Sequence, residues 1–225
     1  CTAEDFFVPT KIDLSVIERV HTPAYVKRLL DFALDRKEIR KIGFPLSEQL
    51  IEREIIIAGG TLEGSIKALD TGIAMNIAGG THHAFSGQGE AFCLLNDQAI
   101  AAQYLLDHQK AKKILIVDLD VHQGNGTAEI FNKNSGVFTF SMHGAKNYPF
   151  RKEMSDLDIG LEDGTTDEEY LTVLHQTLPR LIDEQQPDFI FYLCGVDVVA
   201  TDKLGRLGMS IEGCKARDTF VIENC

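Results

Sequence analysis

The chain has 225 residues, 44% of them hydrophobic and 25% charged, which is enough apolar material for one sizeable core in an ordinary water-facing protein. Its net charge of −12, from 34 acidic against 22 basic residues, excludes a surface built to neutralise phosphates, so no direct nucleic-acid binding is expected; it suits general solubility and, secondarily, a lysine-rich or polyamine substrate. No apolar run approaches the roughly 20 residues of a spanning helix, and the opening Cys1-Thr2-Ala3-Glu4-Asp5 lacks the basic region of a signal peptide, so no membrane association and a cytoplasmic location are expected.

In chain order, helical periodicity is expected over residues 22–35 and 62–69, then a buried strand over 73–77, a helix over 97–108, strands over 114–117 and 137–142, a helix over 166–184 and a strand over 189–194. Thr166-Asp167-Glu168-Glu169 carries the spacing of a capping box. The last residues, Ile222-Glu223-Asn224-Cys225, also read as helix. Continuous apolar strands alternating with amphipathic helices imply a mostly parallel sheet covered on both faces, with its site at the carboxyl ends of the strands. The five cysteines, Cys1, Cys93, Cys194, Cys214 and Cys225, show no C-x-x-C spacing and read as reduced thiols.

Three strand ends carry chemistry. After the first comes Ala78-Gly79-Gly80-Thr81-His82-His83, where a Gly-Gly bend can turn two histidines into a cleft; taken alone, the pair reads equally well as structural or surface histidines. After the second, Asp118, Asp120 and His122 alternate, so in extended chain all three fall on one face. Two carboxylates and an imidazole converging there need a cation or buried partners, unless the segment is a solvated acidic turn. After the last, Cys194-Gly195-Val196-Asp197 delivers a third carboxylate. Asp, His and Asp donors suit Zn²⁺ or Fe²⁺, and three protein ligands leave a position open for water and substrate.

With these segments, Gly89-Glu90-Ala91-Phe92-Cys93-Leu94-Leu95-Asn96-Asp97, Asp118-Leu119-Asp120-Val121-His122-Gln123-Gly124-Asn125-Gly126, Phe140-Ser141-Met142-His143 and Gly195-Val196-Asp197, taken in order, are highly specific. Over nearly its whole length the chain resembles the histone deacetylase superfamily, which includes bacterial acetylpolyamine amidohydrolases and acetoin-utilisation proteins. The run Gly195 to Val199 followed by Asp202 to Leu207 is more similar to bacterial and class IV members than to class I. The resemblance implies an arginase/deacetylase-like three-layer α/β/α fold, and a single deacetylase domain over 1–225 that lacks N-terminal and C-terminal portions.

The same resemblance implies one Zn²⁺ per chain on Asp120, His122 and Asp197, with His82 and His83 handling protons. Asp118 matches the carboxylate that orients the first histidine, and Asn125 stands at the partner position of the second. Phe92 matches a wall of the channel for a lysine stem, with Ala91 beside it where many members carry Gly. Asp118, Asp120, His122, Ser141 and Met142 match a monovalent-cation site, usually potassium, and Phe131, Asn134 and Val137 a neighbouring one. The implied oxyanion donor is a tyrosine on a Gly-rich loop. None of Tyr25, Tyr104, Tyr148, Tyr170 or Tyr192 lies in such a loop, so that residue is expected beyond Cys225. The expected reaction is hydrolysis of N-acetyl-lysine, in a protein or peptide, or of an acetylpolyamine. A manganese ureohydrolase of the arginase type and a non-catalytic acyl-lysine or metabolite binder are the alternatives.

Overall fold

A computed structural model describes residue 2 and residues 5–225. Cys1 lies outside the described residues, and with it the reading of that cysteine as a reduced thiol. The chain divides into two compact units, Cys1–His108 and Gln109–Cys225, which are described separately.

The first unit is helical: α1 (Leu14–Ile17), α2 (Pro23–Leu30), α3 (Arg36–Ile42), α4 (Glu48–Thr71) and α5 (Asp97–Asp107). Its core gathers Ile17, Tyr25, Val26, Leu29, Ile51, Leu94, Leu95 and Ile100. The single helix expected over 22–35 is two. Phe32 takes a left-handed φ of 55°, and Asp35 is not the end of a helix but the N-cap of α3, accepting from the Lys37 and Glu38 amides while Glu38 reaches back. The helix expected over 62–69 is the end of a much longer one. Gly59, Gly60 and Gly64 disguise α4 in the sequence, yet extended chain packs against them: the Thr10 carbonyl lies where a Cβ of Gly59 would stand.

The strand expected over 73–77 is not formed. The segment leaves α4 as irregular chain, pairs with no neighbour in a ladder, and exposes Ile73, Met75 and Ile77. Its alternation has the strand period, but a strand exists only where a second one takes its backbone hydrogen bonds.

The second unit is built on a four-stranded, wholly parallel sheet in the order β3-β2-β1-β4. Its elements are β1 (Ile114–Asp118), α6 (Asn125–Phe131), β2 (Val137–Gly144), β3 (Leu157–Leu161), α7 (Asp167–Gln185), β4 (Phe189–Leu193) and α8 (Ile211–Asn224). The apolar runs read as strands become β1, β2 and β4. Every residue of β1 is buried, as expected for an interior parallel strand. Leu115, Val117, Phe140 and Met142 from the sheet meet Tyr170, Leu174, Leu178 and Leu181 of α7 and Val221 of α8 in one core. Strand β3, Leu-Asp-Ile-Gly-Leu, went unread because an edge strand alternates exposed with covered residues and carries no continuous apolar run. Glu169 caps α7, accepting from the Thr166 amide and hydroxyl. Cys93, Cys194, Cys214 and Cys225 form no disulfide, and no helix among the described residues is long and apolar enough to cross a membrane.

Candidate metal centre and histidine loop

The ladder ends together on three strands: Asp118 pairs with Ser141 on one side and Leu193 on the other. Beyond that line the chain turns. The Asp120 amide donates to Asp118 Oδ1 at 3.1 Å, and the His122 amide to Asp120 Oδ1 at 2.7 Å. These are successive Asx-type turns, in which a carboxylate takes the N–H two residues on. Asp118, Asp120 and His122 therefore converge by turning, not by the pleat of an extended strand as their alternation suggested. From the end of β4, Asp197 reaches across, its Oδ1 accepting the Val121 amide at 3.1 Å.

The result is a donor set. His122 Nδ1 lies 3.0 Å from Asp120 Oδ1 and 3.1 Å from Asp197 Oδ2, and the ligand atoms of the three residues all fall within 4.8 Å of one another. Donors bound at about 2.0–2.2 Å around a tetrahedral zinc stand roughly 3.3 Å apart, so little movement separates this arrangement from a coordination shell. Burial opposes charge on the His122 ring, but hydrogen bonds to Asp120 and Asp197 and their negative fields push its pKa up to about 9. Asp120, His122 and Asp197 form the one such cluster among the described residues, whereas a two-metal ureohydrolase site would need a second.

Two glycines make the set possible. A Cβ on Gly195 would overlap Asp120 Oδ2 and stand 2.8 Å from its Cγ; a Cβ on Gly205 would collide with the Asp197 carbonyl. Gly195 stands in the Gly195-Val196-Asp197 motif, but close approach leaves no mark in a sequence beyond the glycine itself, and the same holds for Gly205. Asp118 and Asn125 are both buried, Asn125 as the first residue of α6. Ser141 and Met142 lie on β2 beside the end of β1, with Ser141 Oγ 2.9 Å from His143 Nδ1, so the residues assigned to a monovalent cation share one strand-end neighbourhood.

In the first unit, His82 and His83 are buried and their rings meet at 4.1 Å between centroids. Their loop is fixed by the start of α5. Buried Asp97 accepts from the Gly80 and Thr81 amides, the Thr81 hydroxyl at 2.7 Å and the Thr61 hydroxyl at 2.5 Å. The N-cap residue Asn96 donates to the Ala84 carbonyl at 3.2 Å. His21 closes the loop: the Asn96 amide donates to Nε2, which leaves Nδ1 to donate to the Phe85 carbonyl, each at 2.9 Å. His21 went unread because a lone histidine before a helix has no periodic signature. Phe92, half exposed, lies against Phe44 with ring centroids 5.0 Å apart. Ala91 has a φ of 44°, a left-handed conformation that favours glycine. Tyr25 donates to the Leu94 carbonyl and Tyr192 to Asp218, Tyr104 stacks on His108, and Tyr170 is wholly buried.

The parallel α/β unit thus gathers two carboxylates and an imidazole at its strand ends, a set of donors that could hold a metal ion. The histone deacetylase domain matches residues 2–225, and the chain belongs to that family. An uncharacterized protein of Picosynechococcus sp. is 45% identical over 99% of this chain and 74% of its own length. Histone deacetylase 2 of Arabidopsis thaliana is 30% identical over 94% of the chain, and histone deacetylase clr6 of Schizosaccharomyces pombe 31% identical over 91%. The chain spans 56% of the length of each of these two relatives. Among solved structures, an HDAC homolog complexed with SAHA superimposes with a TM-score of 0.86 at 23% identity, covering 99% of this chain and 66% of that one; an HDAC homolog from Aquifex aeolicus gives the same TM-score. The arginase/deacetylase-like α/β fold expected from the sequence is thus the fold of the chain.

Proposed function

We propose that this chain carries the metal centre of a zinc-dependent deacetylase, which hydrolyses N-acetyl-lysine or a similar N-acyl amine to the free amine and a carboxylate. The observation that carries the reading is the Asp120–His122–Asp197 donor set, with His122 Nδ1 within 3.1 Å of both carboxylates. A zinc ion held there supplies Lewis-acid polarisation to the scissile carbonyl and to a water molecule. Asp120, His122 and Asp197 bind the ion, and the turns that start at Asp118 and Asp120 hold them in place. His82 and His83 take and deliver protons, Asp118 and Asn125 bias their protonation, and Phe92 grips the aliphatic stem with Ala91 beside it. Potassium held near Asp118, Asp120, His122, Ser141 and Met142, and an acetylated lysine protein, peptide or acetylpolyamine as substrate, belong to the same reading, supported by family membership; a cytoplasmic setting is proposed with them.

The test is hydrolysis of acetyl-lysine peptides and acetylpolyamines by the zinc-loaded protein, by His83→Ala and by a chelated sample. His83→Ala should lose at least ~100-fold in kcat while still binding zinc, and chelation should abolish turnover. Undiminished activity in the variant would remove His83 from the reaction, and activity that survives zinc removal would remove the metal.

A further inference from the structure

Arg217, on α8, has no solvent exposure at all. A guanidinium never sheds its charge, so burying one is costly unless its donors are met. One of its nitrogens, Nη1, is turned to the two loops that carry the donor set. Nη1 donates to the Leu119 carbonyl at 3.1 Å and to the Gly195 carbonyl at 2.8 Å. Leu119 immediately precedes Asp120, and Gly195 stands two residues before Asp197. Both carbonyls lie just past the last ladder pair, Asp118 with Leu193, where the sheet no longer supplies partners.

The arginine is itself held from behind. Nε donates to Asp218 Oδ1 at 2.8 Å, Nη2 lies the same distance from that oxygen, and Tyr192 of β4 donates to it at 2.6 Å. The start of α8 is anchored in turn: the Ser210 amide and hydroxyl donate to Asp167, at the start of α7, at 2.8 and 2.6 Å. A planar guanidinium with a fixed fork of donors sets a distance and an angle between two backbone segments, which a flexible ammonium cannot do equally well.

From this geometry we propose that Arg217 is a positioning residue for the metal centre, tying the loop after β1 to the loop after β4 so that Asp120 and Asp197 are presented at coordination distance. The proposal rests on the reading of Asp120, His122 and Asp197 as metal ligands. It assigns Arg217 no contact with metal or substrate. Its effect runs through two carbonyls, as outer residues act on the ligands they orient.

The test uses the whole protein and the metal alone as probe: zinc affinity by competition with a chromophoric chelator, the visible spectrum of the Co²⁺-substituted protein, and thermal denaturation. Arg217→Met should weaken zinc binding by roughly 10- to 100-fold and alter the Co²⁺ spectrum, with Arg217→Lys recovering part of the loss. Tyr192→Phe, which only loosens the anchor at Asp218, is the milder variant should Arg217→Met fail to fold, and should weaken binding by about two- to fivefold. Leu174→Ala, a cavity in the core of the same unit, should lower the melting temperature and leave affinity and spectrum unchanged. If Arg217→Lys and Tyr192→Phe bind zinc as tightly as the parent, with an unaltered spectrum, Arg217 is a structural arginine only. If Asp197→Asn does not weaken zinc binding, the ligand reading itself fails and takes the proposal with it.

Discussion

At the scale of single residues, what decides the centre is how closely backbone approaches ligand. Gly195 is the clearest case, because its missing side chain is the space that Asp120 occupies. Gly195→Ala should therefore weaken zinc binding by at least ~10-fold, since the backbone must shift or Asp120 must leave its rotamer. Gly87→Ala is the matched control, because a Cβ there meets nothing within 4 Å. Equal affinities for the two variants in a chelator competition would refute the close-packing account. Asp120, His122 and Asp197 were legible as sequence because each follows an apolar run. Gly195, Gly205 and Arg217 were not: their importance lies in what stands opposite them in space, and Arg217 meets Leu119 across 98 residues of chain.

At the scale of elements, three of the four expected strands formed, and the edge strand β3 was missed. The failure at residues 73–77 and the omission of β3 have one physical origin. Side-chain periodicity reports which faces are apolar, whereas a ladder needs a partner backbone, which is a non-local fact. Helix caps were more readable, since Thr166 with Glu169 is a local device. The histidine loop also carries a pH dependence. Burial holds His21 down to about 4 from an ordinary 6.5. Between those values the unfolded chain carries a proton that the folded chain refuses, so this contribution is complete above pH 6.5 and is lost as pH falls toward 4, up to about 3 kcal/mol. Buried Glu54 acts the other way. Desolvation raises it to about 7 from 4.5, so the folded chain keeps a proton that the unfolded one releases, and stability declines as pH rises through that window. Denaturant unfolding from pH 4 to 8 should give His21→Gln a shallower acid limb than the parent, and Glu54→Gln a flatter neutral limb; curves parallel to the parent in both variants would contradict these assignments.

At the scale of the whole molecule, every proposed ligand lies in the unit Gln109–Cys225. A ligand that binds only the folded state stabilises it by mass action. Zinc at about 100 times its Kd should add about 2.7 kcal/mol, raising the melting temperature by roughly 5–10 °C, and chelation should reverse the gain. Amide exchange should slow around Asp118 to His122 and Gly195 to Asp197, with little change near α2 and α3; uniform slowing, or none, would argue against a centre assembled in that unit. The common finishing line of the strands, Asp118 level with Ser141 and Leu193, has a consequence for how this chain can vary. The geometry of the donor set is encoded as a count of residues along each strand. Inserting one residue within β1 would move Asp118, Asp120 and His122 off the level set by β4 and dismantle the donor set while leaving all three residues present in the sequence. Length changes are therefore expected to survive in exposed connections such as residues 73–77, and to be absent from the cores of β1 and β4.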